Sequence, residues 1–252
     1  MNKSILLFTV TSLLGAAAHA EDPPPSPFTA NINLTSNYKY RGQDQGNNKP
    51  ALQGGFDFSK DGFYIGNWNS SIGFTNAGIE MDFYGGYKGE ITKDLTYDAG
   101  VLQYYYPQKD RGANGFADFN TTEIYGALSF GPASIKYSHT VSKDYFGWGS
   151  VAGRSTFSGR NTGYLDLAAN FPVATALTLN THLGYTRYSS DLRNNVFVNG
   201  VALPNYYDYK VGVTYDLGSG FSVAGAVVGA NKKDFYDPIN KTRFIATITK
   251  SM

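Results

Sequence analysis

The sequence predicts an all-β protein: an antiparallel transmembrane β-barrel of about 12 strands, with the N and C termini on the periplasmic side. Three observations support this prediction. Apolar and polar residues alternate along twelve segments, the connections between these segments alternate in length, and the composition is rich in glycine and poor in charge. The chain has 29 glycines and 20 tyrosines in 252 residues, and 16% of its residues are charged. Soluble domains typically have about 25% charged residues.

The composition and the absence of motifs exclude several classes of protein. A net charge of +1 lacks the basic footprint that nucleic-acid binding requires, so we predict no nucleic-acid partner. The chain has no cysteine, which excludes disulfides, thiolate metal sites and cysteine nucleophiles. No G-x-S-x-G, H-E-x-x-H or phosphate-loop motif is present. We therefore predict no enzyme activity, no cofactor and no metal site.

The N-terminal residues have the features of a secretory signal peptide. A basic residue precedes an apolar stretch that ends in Ala18-His19-Ala20, an A-x-A cleavage site. The stretch is shorter than the roughly 20 residues that a spanning helix needs. The next seven residues contain four prolines and should be extended. The predicted organisation is a signal peptide (1–20), a proline-rich tail (21–27) and a single barrel domain (28–252).

Period-two alternation predicts each strand, because successive side chains of a strand point to opposite faces of the sheet. One of the clearest cases is 205–217, where Tyr207, Val211 and Val213 oppose Lys210 and Thr214. The same test predicts, in chain order, strands at 28–41, 51–59, 63–74, 79–91, 95–106, 118–130, 133–142, 162–171, 175–188, 205–217, 221–230 and 242–250. The apolar run from 167 to 186 is predicted to be a hairpin that turns at 171–174.

The lengths of the connections indicate a membrane barrel. Connections after even-numbered strands are short and rich in glycine or proline. Most connections after odd-numbered strands are long, at 107–117, 143–161, 189–204 and 231–241. Transmembrane barrels alternate tight periplasmic turns with longer extracellular loops in this way. This pattern places both termini in the periplasm.

Aromatic residues are concentrated near the predicted strand ends. Tyrosine prefers the membrane–water interface, because its apolar ring carries a polar hydroxyl. We therefore predict interfacial belts that contain Tyr38, Tyr40, Tyr104, Tyr105, Tyr106, Tyr185, Tyr188, Tyr206 and Tyr207.

The last predicted strand resembles the signal read by the barrel-assembly machinery. Phe244, Ala246, Ile248, Lys250 and Met252 share one face. Outer-membrane barrels commonly end in an aromatic residue behind alternating apolar residues. Here Met252 takes the terminal position and Lys250 interrupts the apolar face. The expected partners are outer-membrane lipid, the assembly machinery and small polar solutes or ions.

Several stretches in the first half of the chain resemble the TorF family of porin-like proteins. They are SNYKYRG (36–42), KPALQGGFDF (49–58), GFYIGNW (62–68), IEMDFYGGYKG (79–89) and YYYP (104–107). The resemblance implies an outer-membrane barrel of a Gram-negative bacterium with a channel role. It implies no particular substrate.

Charged residues on the inward face are the candidate pore lining. Polar groups inside a membrane barrel either line a water path or pair with one another, and rings of charge at a constriction can select ions. The candidates are Lys39, Arg41, Glu80, Asp82, Lys88, Glu90, Glu123, Lys136, Asp166, Asp208, Lys210 and Arg243. With Asp57, Asp98 and Asp216 included, nine acids face six bases, and this count predicts a weak preference for cations.

The predicted function is an outer-membrane, porin-like channel for passive diffusion of small polar solutes or ions. The main alternative is a filled barrel with a structural or adhesive role through its surface loops. Twelve strands fall between filled 8-stranded barrels and open porins of 16–18 strands, so the sequence leaves both open.

The third alternative is a membrane-embedded lipid enzyme, which would need a histidine beside a nucleophile. Ser138 adjoins His139, but strand neighbours point to opposite faces. His182 is predicted to be a polar lumen residue.

Overall fold

A computed structural model describes residues 26–107, 119–151 and 154–252. The predicted signal peptide (1–20), most of the predicted tail and nearly all of the predicted loop at 107–117 lie outside the described residues. All statements below concern the described part of the chain.

Twelve antiparallel strands form one closed barrel, as the sequence predicted. Each strand pairs with its neighbours in the sequence, and the first strand also pairs with the last. The strands are β1 (Phe28–Thr35), β2 (Ala51–Lys60), β3 (Phe63–Ser71), β4 (Ile79–Thr92), β5 (Leu95–Tyr105), β6 (Thr121–Phe130), β7 (Ala133–Thr140), β8 (Gly163–Ala174), β9 (Leu177–Arg187), β10 (Tyr206–Gly218), β11 (Phe221–Ala230) and β12 (Arg243–Ser251). Closure leaves no sheet edge with unpaired backbone groups.

Short elements occupy the long connections. Three hairpins pair Lys39–Tyr40 with Gln43–Asp44, Ser150–Val151 with Arg154–Ser155, and Phe197–Val198 with Val201–Ala202. Helix α1 (Ser190–Asn195) begins after Ser189, whose hydroxyl accepts a hydrogen bond from the Leu192 amide. No helix of the described chain is long and apolar enough to cross a membrane.

The barrel has two different ends. The turn end carries Phe28, Ser251 and the five tight connections that follow β2, β4, β6, β8 and β10. The loop end carries the remaining connections, among them all three short hairpins and α1. The alternation of loop lengths therefore sorts the connections onto opposite ends of one barrel, because consecutive strands are antiparallel.

Two predicted strands differ from the structure. The strand predicted at 28–41 leaves the wall at Thr35. Further along, Arg41 and Gly42 have left-handed backbone angles (φ 48° and 74°) that turn the chain back on itself as a hairpin. The turn predicted at 171–174 is instead part of β8. This strand passes through Pro172, and a register shift between Pro172 and Ala174 accommodates the ring.

The outer face of the barrel is apolar and the inner face is polar. Along β10, Val211 and Val213 are exposed on the outside, whereas Asp208 and Thr214 are buried inside. In β1, Ile32 and Leu34 likewise face outward. This arrangement is the reverse of that in a soluble protein, where apolar side chains face the interior. An outer wall of this kind requires apolar surroundings, since monomeric soluble proteins rarely expose large contiguous apolar patches.

The predicted tyrosine belts are only partly correct. Tyr105 and Tyr207 face outward near the loop end, as the belt prediction requires. Their neighbours point the other way, because adjacent side chains of a strand lie on opposite faces. Five of the tyrosines predicted for the belts are instead buried in the interior: Tyr38, Tyr104, Tyr106, Tyr188 and Tyr206.

The outer wall gives a direct test with a matched control. Val211 on the wall and Val201 on a loop hairpin have nearly equal exposed fractions, 55% and 56%. We expect Val211→Arg to reduce the free energy of folding into liposomes by about 2–4 kcal/mol, because the charge enters hydrocarbon near the middle of β10. Val201→Arg should change it by less than about 0.5 kcal/mol. Equal effects in urea titrations would mean that the wall does not face lipid.

Candidate functional site

The connection between β1 and β2 folds into the barrel instead of covering its rim. Residues Lys39–Asp44, here called the constriction hairpin, form two paired positions closed by Arg41 and Gly42. A Cβ atom on Gly42 would lie 2.5 Å from the Cβ atom of Asp208 on β10. Only glycine fits this contact and its left-handed backbone together. The hairpin tip therefore packs directly against the inner face of the wall.

Arg41 connects the constriction hairpin to the far side of the barrel. Its guanidinium donates two hydrogen bonds to the carboxylate of Glu123 on β6, at 2.9 and 2.7 Å, and a third to the Tyr145 hydroxyl at 3.0 Å. The guanidinium carbon also lies 4.1 Å from the centre of the Tyr164 ring and 4.8 Å from that of Tyr40. A bidentate pair of this kind combines charge with fixed geometry. It spans the interior at the loop end.

The other side of the hairpin is fastened to the connection between β11 and β12. The Ile239 carbonyl accepts hydrogen bonds from the Lys39 ammonium and the Asp44 amide, both at 2.9 Å. The Gln43 amide group donates to the Asn240 side chain at 3.0 Å. The hairpin is thus held at both ends of its path across the interior.

The two cations of the hairpin have opposite pKa shifts. Burial lowers the pKa of Lys39 to about 8; Asp44 opposes this shift and the nearby charge of Arg243 adds to it. Burial would also lower the pKa of Arg41, but Glu123 and the surrounding tyrosines more than offset it and hold the pKa well above its usual value. Arg41 therefore stays charged wherever the barrel is folded.

Two aromatic clusters fill the loop end on either side of the hairpin. We call them together the loop-end clusters. The first contains Tyr145, Tyr188, Leu192, Leu203, Tyr206, Ala230 and Tyr236. The second contains Tyr38, Ala51, Trp68, Ile72, Tyr104 and Tyr106. Phe146 packs against both, so the interior at this height is packed with side chains.

Two of the predicted pore-lining acids lie within these clusters. Glu80 accepts a hydrogen bond from the Tyr38 hydroxyl at 2.6 Å and another from the Tyr106 hydroxyl. Glu80 and Asp82 are both buried, as is Trp68 directly across from Asp82 on β3. Glu80 therefore fastens two tyrosines inside the clusters, and Asp82 is buried beside them, so neither acid borders an open path.

Below the hairpin, five ionisable side chains form a central belt: Lys136, Asp166, His182, Asp208 and Lys210. Lys136 on β7 lies directly across from Asp166 on β8, and His182 on β9 lies directly across from Lys210 on β10. His182 bonds both aspartates, with Nδ1 3.0 Å from Asp166 Oδ1 and Nε2 2.7 Å from Asp208 Oδ1. An ionised carboxylate can only accept, so each ring nitrogen must carry a proton. His182 is therefore an imidazolium ion between two carboxylates.

Tyrosine hydroxyls satisfy the remaining central acids. The Tyr64 hydroxyl donates to Asp98 at 2.5 Å, and the Tyr84 hydroxyl donates to Asp57 at 2.6 Å. The Tyr64 hydroxyl also contacts that of Tyr125. These pairs form between different strands, so they depend on the register of the barrel.

The twelve predicted pore-lining residues all lie on the inner side, but at three heights. Those at the loop end are Lys39, Arg41, Glu80, Asp82, Glu123 and Arg243. Those of the central belt are Lys136, Asp166, Asp208 and Lys210, and those toward the turn end are Lys88 and Glu90. Their role in a pore stays a prediction. The structure joins Arg41 to Glu123 and places Asp166 and Asp208 around His182, whereas Lys88 and Glu90 belong to neither group.

The sequence analysis missed the part played by His182 and the interior tyrosines. Alternation along β9 placed His182 inside, but its two acidic partners come from β8 and β10. Only the register between strands, which period-two alternation leaves open, reveals such a cluster. For Tyr145 no signal was available, because it lies in a long connection.

The remaining chemistry-bearing residues form no further site in the described chain. Ser138 faces inward and is buried, whereas His139 faces outward and bonds Asn161 at 3.2 Å. Within residues 26–107, 119–151 and 154–252, no group of three or more histidine, aspartate or glutamate side chains could hold a metal ion.

A family model described as a bacterial protein of unknown function, Gcw_chp, matches residues 19–251. The chain belongs to the Gcw_chp family. No curated protein matches it in sequence. The family membership accounts for almost the whole barrel and assigns no activity to it.

Solved porin structures share the fold. The KdgM porin is 10% identical, with a TM-score of 0.56 over 89% of this chain and 99% of that one. A structure of KdgM in complex with disordered oligogalacturonate is 9% identical, with a TM-score of 0.53 over 89% and 98%. The NanC porin is 11% identical, with a TM-score of 0.53 over 87% and 97%. At these identities the likeness concerns the fold alone.

The buried Arg41–Glu123 pair should be a major source of stability for the loop end. Arg41→Met leaves the Glu123 carboxylate without its partner, and we expect a loss of about 3–5 kcal/mol in the free energy of unfolding. The Arg41→Met/Glu123→Met double variant should recover much of this loss, because no charge remains unpaired. Urea titration in detergent micelles measures both.

An exposed ion pair in the same chain provides the control. The Lys241 ammonium lies 3.0 Å from the Asp237 carboxylate, and the two side chains are 50% and 58% exposed. Lys241→Met should cost less than about 1 kcal/mol. An Arg41→Met variant as stable as Lys241→Met would contradict a structural role for the buried pair.

Proposed function

We propose that the chain is an outer-membrane, porin-like channel for passive diffusion of small polar solutes or ions, narrowed at its loop end by the constriction hairpin. The observation that carries the proposal is a closed 12-stranded barrel with an apolar outer face and charged side chains along its inner face. A soluble barrel has no need of the first feature, and the inner charges that stay unpaired are of the kind that line a water path.

The likeness to porins supports the same function. One KdgM structure is a complex with oligogalacturonate, so at least one barrel of this fold binds an oligosaccharide. The TorF-like stretches of the sequence include residues 39–42 of the constriction hairpin and add to this support. We accordingly include membership of the TorF family and the absence of enzyme activity in the proposal.

The proposed orientation has the turn end in the periplasm and the loop end outside the cell. The lengths of the connections support it. The proposal also includes export through cleavage of residues 1–20 and insertion into the outer membrane by the barrel-assembly machinery. The outer-facing strand residues would then contact lipid.

Conductance across planar bilayers tests the channel and the constriction together. We expect small, voltage-independent conductance steps from the wild-type protein. Arg41→Ser/Glu123→Ser should enlarge the steps, because it removes the bridge across the interior. Lys241→Ser/Asp237→Ser, which removes an exposed pair, should leave them unchanged. If neither the wild type nor the Arg41→Ser/Glu123→Ser variant conducts, the channel function is wrong.

A filled barrel with an adhesive role is the second candidate, and two observations favour it. The loop-end clusters pack the interior. At the same end, the hairpin at Phe197–Ala202 leaves the apolar side chains of Phe197 and Val201 more than half exposed. Absence of conductance together with loss of surface attachment in Phe197→Ser/Val201→Ser cells would support this candidate over the channel.

Protease accessibility on intact cells tests the orientation. A tobacco etch virus protease site inserted between Asn199 and Gly200 at the loop end should be cleaved from outside. The same site inserted between Ser219 and Gly220 at the turn end should be protected until the outer membrane is permeabilised. Both positions lie in turns with left-handed backbone angles, so the two insertions are structurally matched. The reverse pattern would invert the topology.

A further inference from the structure

We propose that the central belt binds the carboxylate of a small sugar acid between Lys136 and Lys210. The inference rests on the proposed function, since a solute must reach the interior, and it deepens that function by naming the solute class. It also opposes the weak cation preference that the count of inward charges predicts.

The first observation is which central groups already have partners. Asp166 and Asp208 both accept hydrogen bonds from His182, and Asp98 accepts one from Tyr64. In the described part of the chain, neither Lys136 nor Lys210 forms a hydrogen bond or an ion pair with a neighbouring side chain. The acids of the belt are therefore satisfied, whereas its two ammonium groups each retain three unused donors.

The second observation is the local charge. Three cations (Lys136, His182 and Lys210) and two carboxylates (Asp166 and Asp208) leave the belt with one positive charge. Asp166 acts electrostatically on both lysines, and Asp98 and Glu123 act on Lys136 as well. Asp98 already accepts a hydrogen bond from Tyr64, and Glu123 is paired with Arg41, so neither forms an ion pair with Lys136. Two ammonium groups that have no hydrogen-bonded or ion-paired partner, each with three donors, suit a monoanion.

The count of all inward charges is a poor guide to selectivity, because several of the acids are buried or paired and do not border the water path. Glu80 and Asp82 lie within the loop-end clusters, and Glu123 is paired with Arg41. Asp98 accepts a hydrogen bond from Tyr64 and lies directly across from Lys88 on the neighbouring strand. The accessible charge near the middle of the barrel is therefore that of the central belt.

The third observation concerns the rest of the solute. The Lys136 ammonium lies 3.8 Å from the centre of the Tyr125 ring. A carboxylate bound to Lys136 is thereby held beside an aromatic face, on which the C–H face of a pyranose can pack. The tyrosine and aspartate oxygens nearby can accept or donate hydrogen bonds to hydroxyl groups. A carboxylated sugar uses all of these features, whereas acetate uses only the ammonium groups.

Binding to the refolded protein in detergent micelles tests the site without requiring transport. The probes are D-glucuronate, neutral D-glucose and cationic D-glucosamine, titrated by calorimetry at low ionic strength. We expect glucuronate to bind at least tenfold more tightly than either of the other sugars. Wild-type protein that binds the three sugars equally, or glucosamine most tightly, overturns the proposal whatever the variants do.

Variants assign the binding to the central belt. Lys136→Gln/Lys210→Gln should weaken glucuronate binding at least tenfold, and Lys136→Arg/Lys210→Arg should retain most of it. Lys60→Gln/Lys93→Gln makes the same change of net charge at exposed turn-end positions and should bind like the wild type. Unchanged binding by the Lys136→Gln/Lys210→Gln variant overturns the site. Should that variant not fold, the single variants Lys136→Gln and Lys210→Gln replace it. Each should weaken glucuronate binding, and unchanged binding by both overturns the site.

The binding test and the conductance test can succeed or fail independently of each other. Glucuronate binding in a protein that never conducts would uphold the site and refute the channel. Conductance without a preference for glucuronate would uphold the channel and refute the site.

Discussion

The ion pair between Arg41 and Glu123 determines the shape of the barrel interior. It draws the connection after β1 away from the rim and across the lumen, where Gly42 packs against β10 and Gln43 reaches the connection before β12. Removing two charges from water is costly, and the bidentate geometry together with the Tyr145 hydroxyl compensates for it. The loop-end clusters pack on both sides of this bridge, so the narrowing of the interior depends on it.

A polar interior inside an apolar wall explains why the inner acids behave differently from one another. Where tyrosine hydroxyls or Arg41 reach a carboxylate, as at Glu80 and Glu123, it becomes part of the packing. Where an imidazolium takes up two carboxylates, as at His182, the neighbouring lysines are left unpartnered. Solute preference therefore depends on which groups remain free to bind, and the total count of inward charges is a poor guide to it.

Much of the fold could be predicted because period-two alternation and loop length are local properties of the chain. The twelve strands follow from them within a few residues, except where Arg41 and Gly42 turn the chain inward and where β8 continues through Pro172. The candidate site was harder to predict from the sequence. Alternation placed His182 and Lys136 on the inner face, but the contacts of each come from neighbouring strands.

The sequence by itself determined the fold class, the strand order and the side of the wall on which each residue lies, because alternation and antiparallel neighbours leave little choice. Only the tertiary structure decided that residues 39–44 enter the lumen, that Tyr104 and Tyr106 pack with Tyr38 and Trp68 in one cluster, and that Lys136 and Lys210 keep free ammonium groups. These features depend on strand register and on contacts across the closed barrel. Such contacts join residues far apart in the chain and produce no periodic pattern in the sequence.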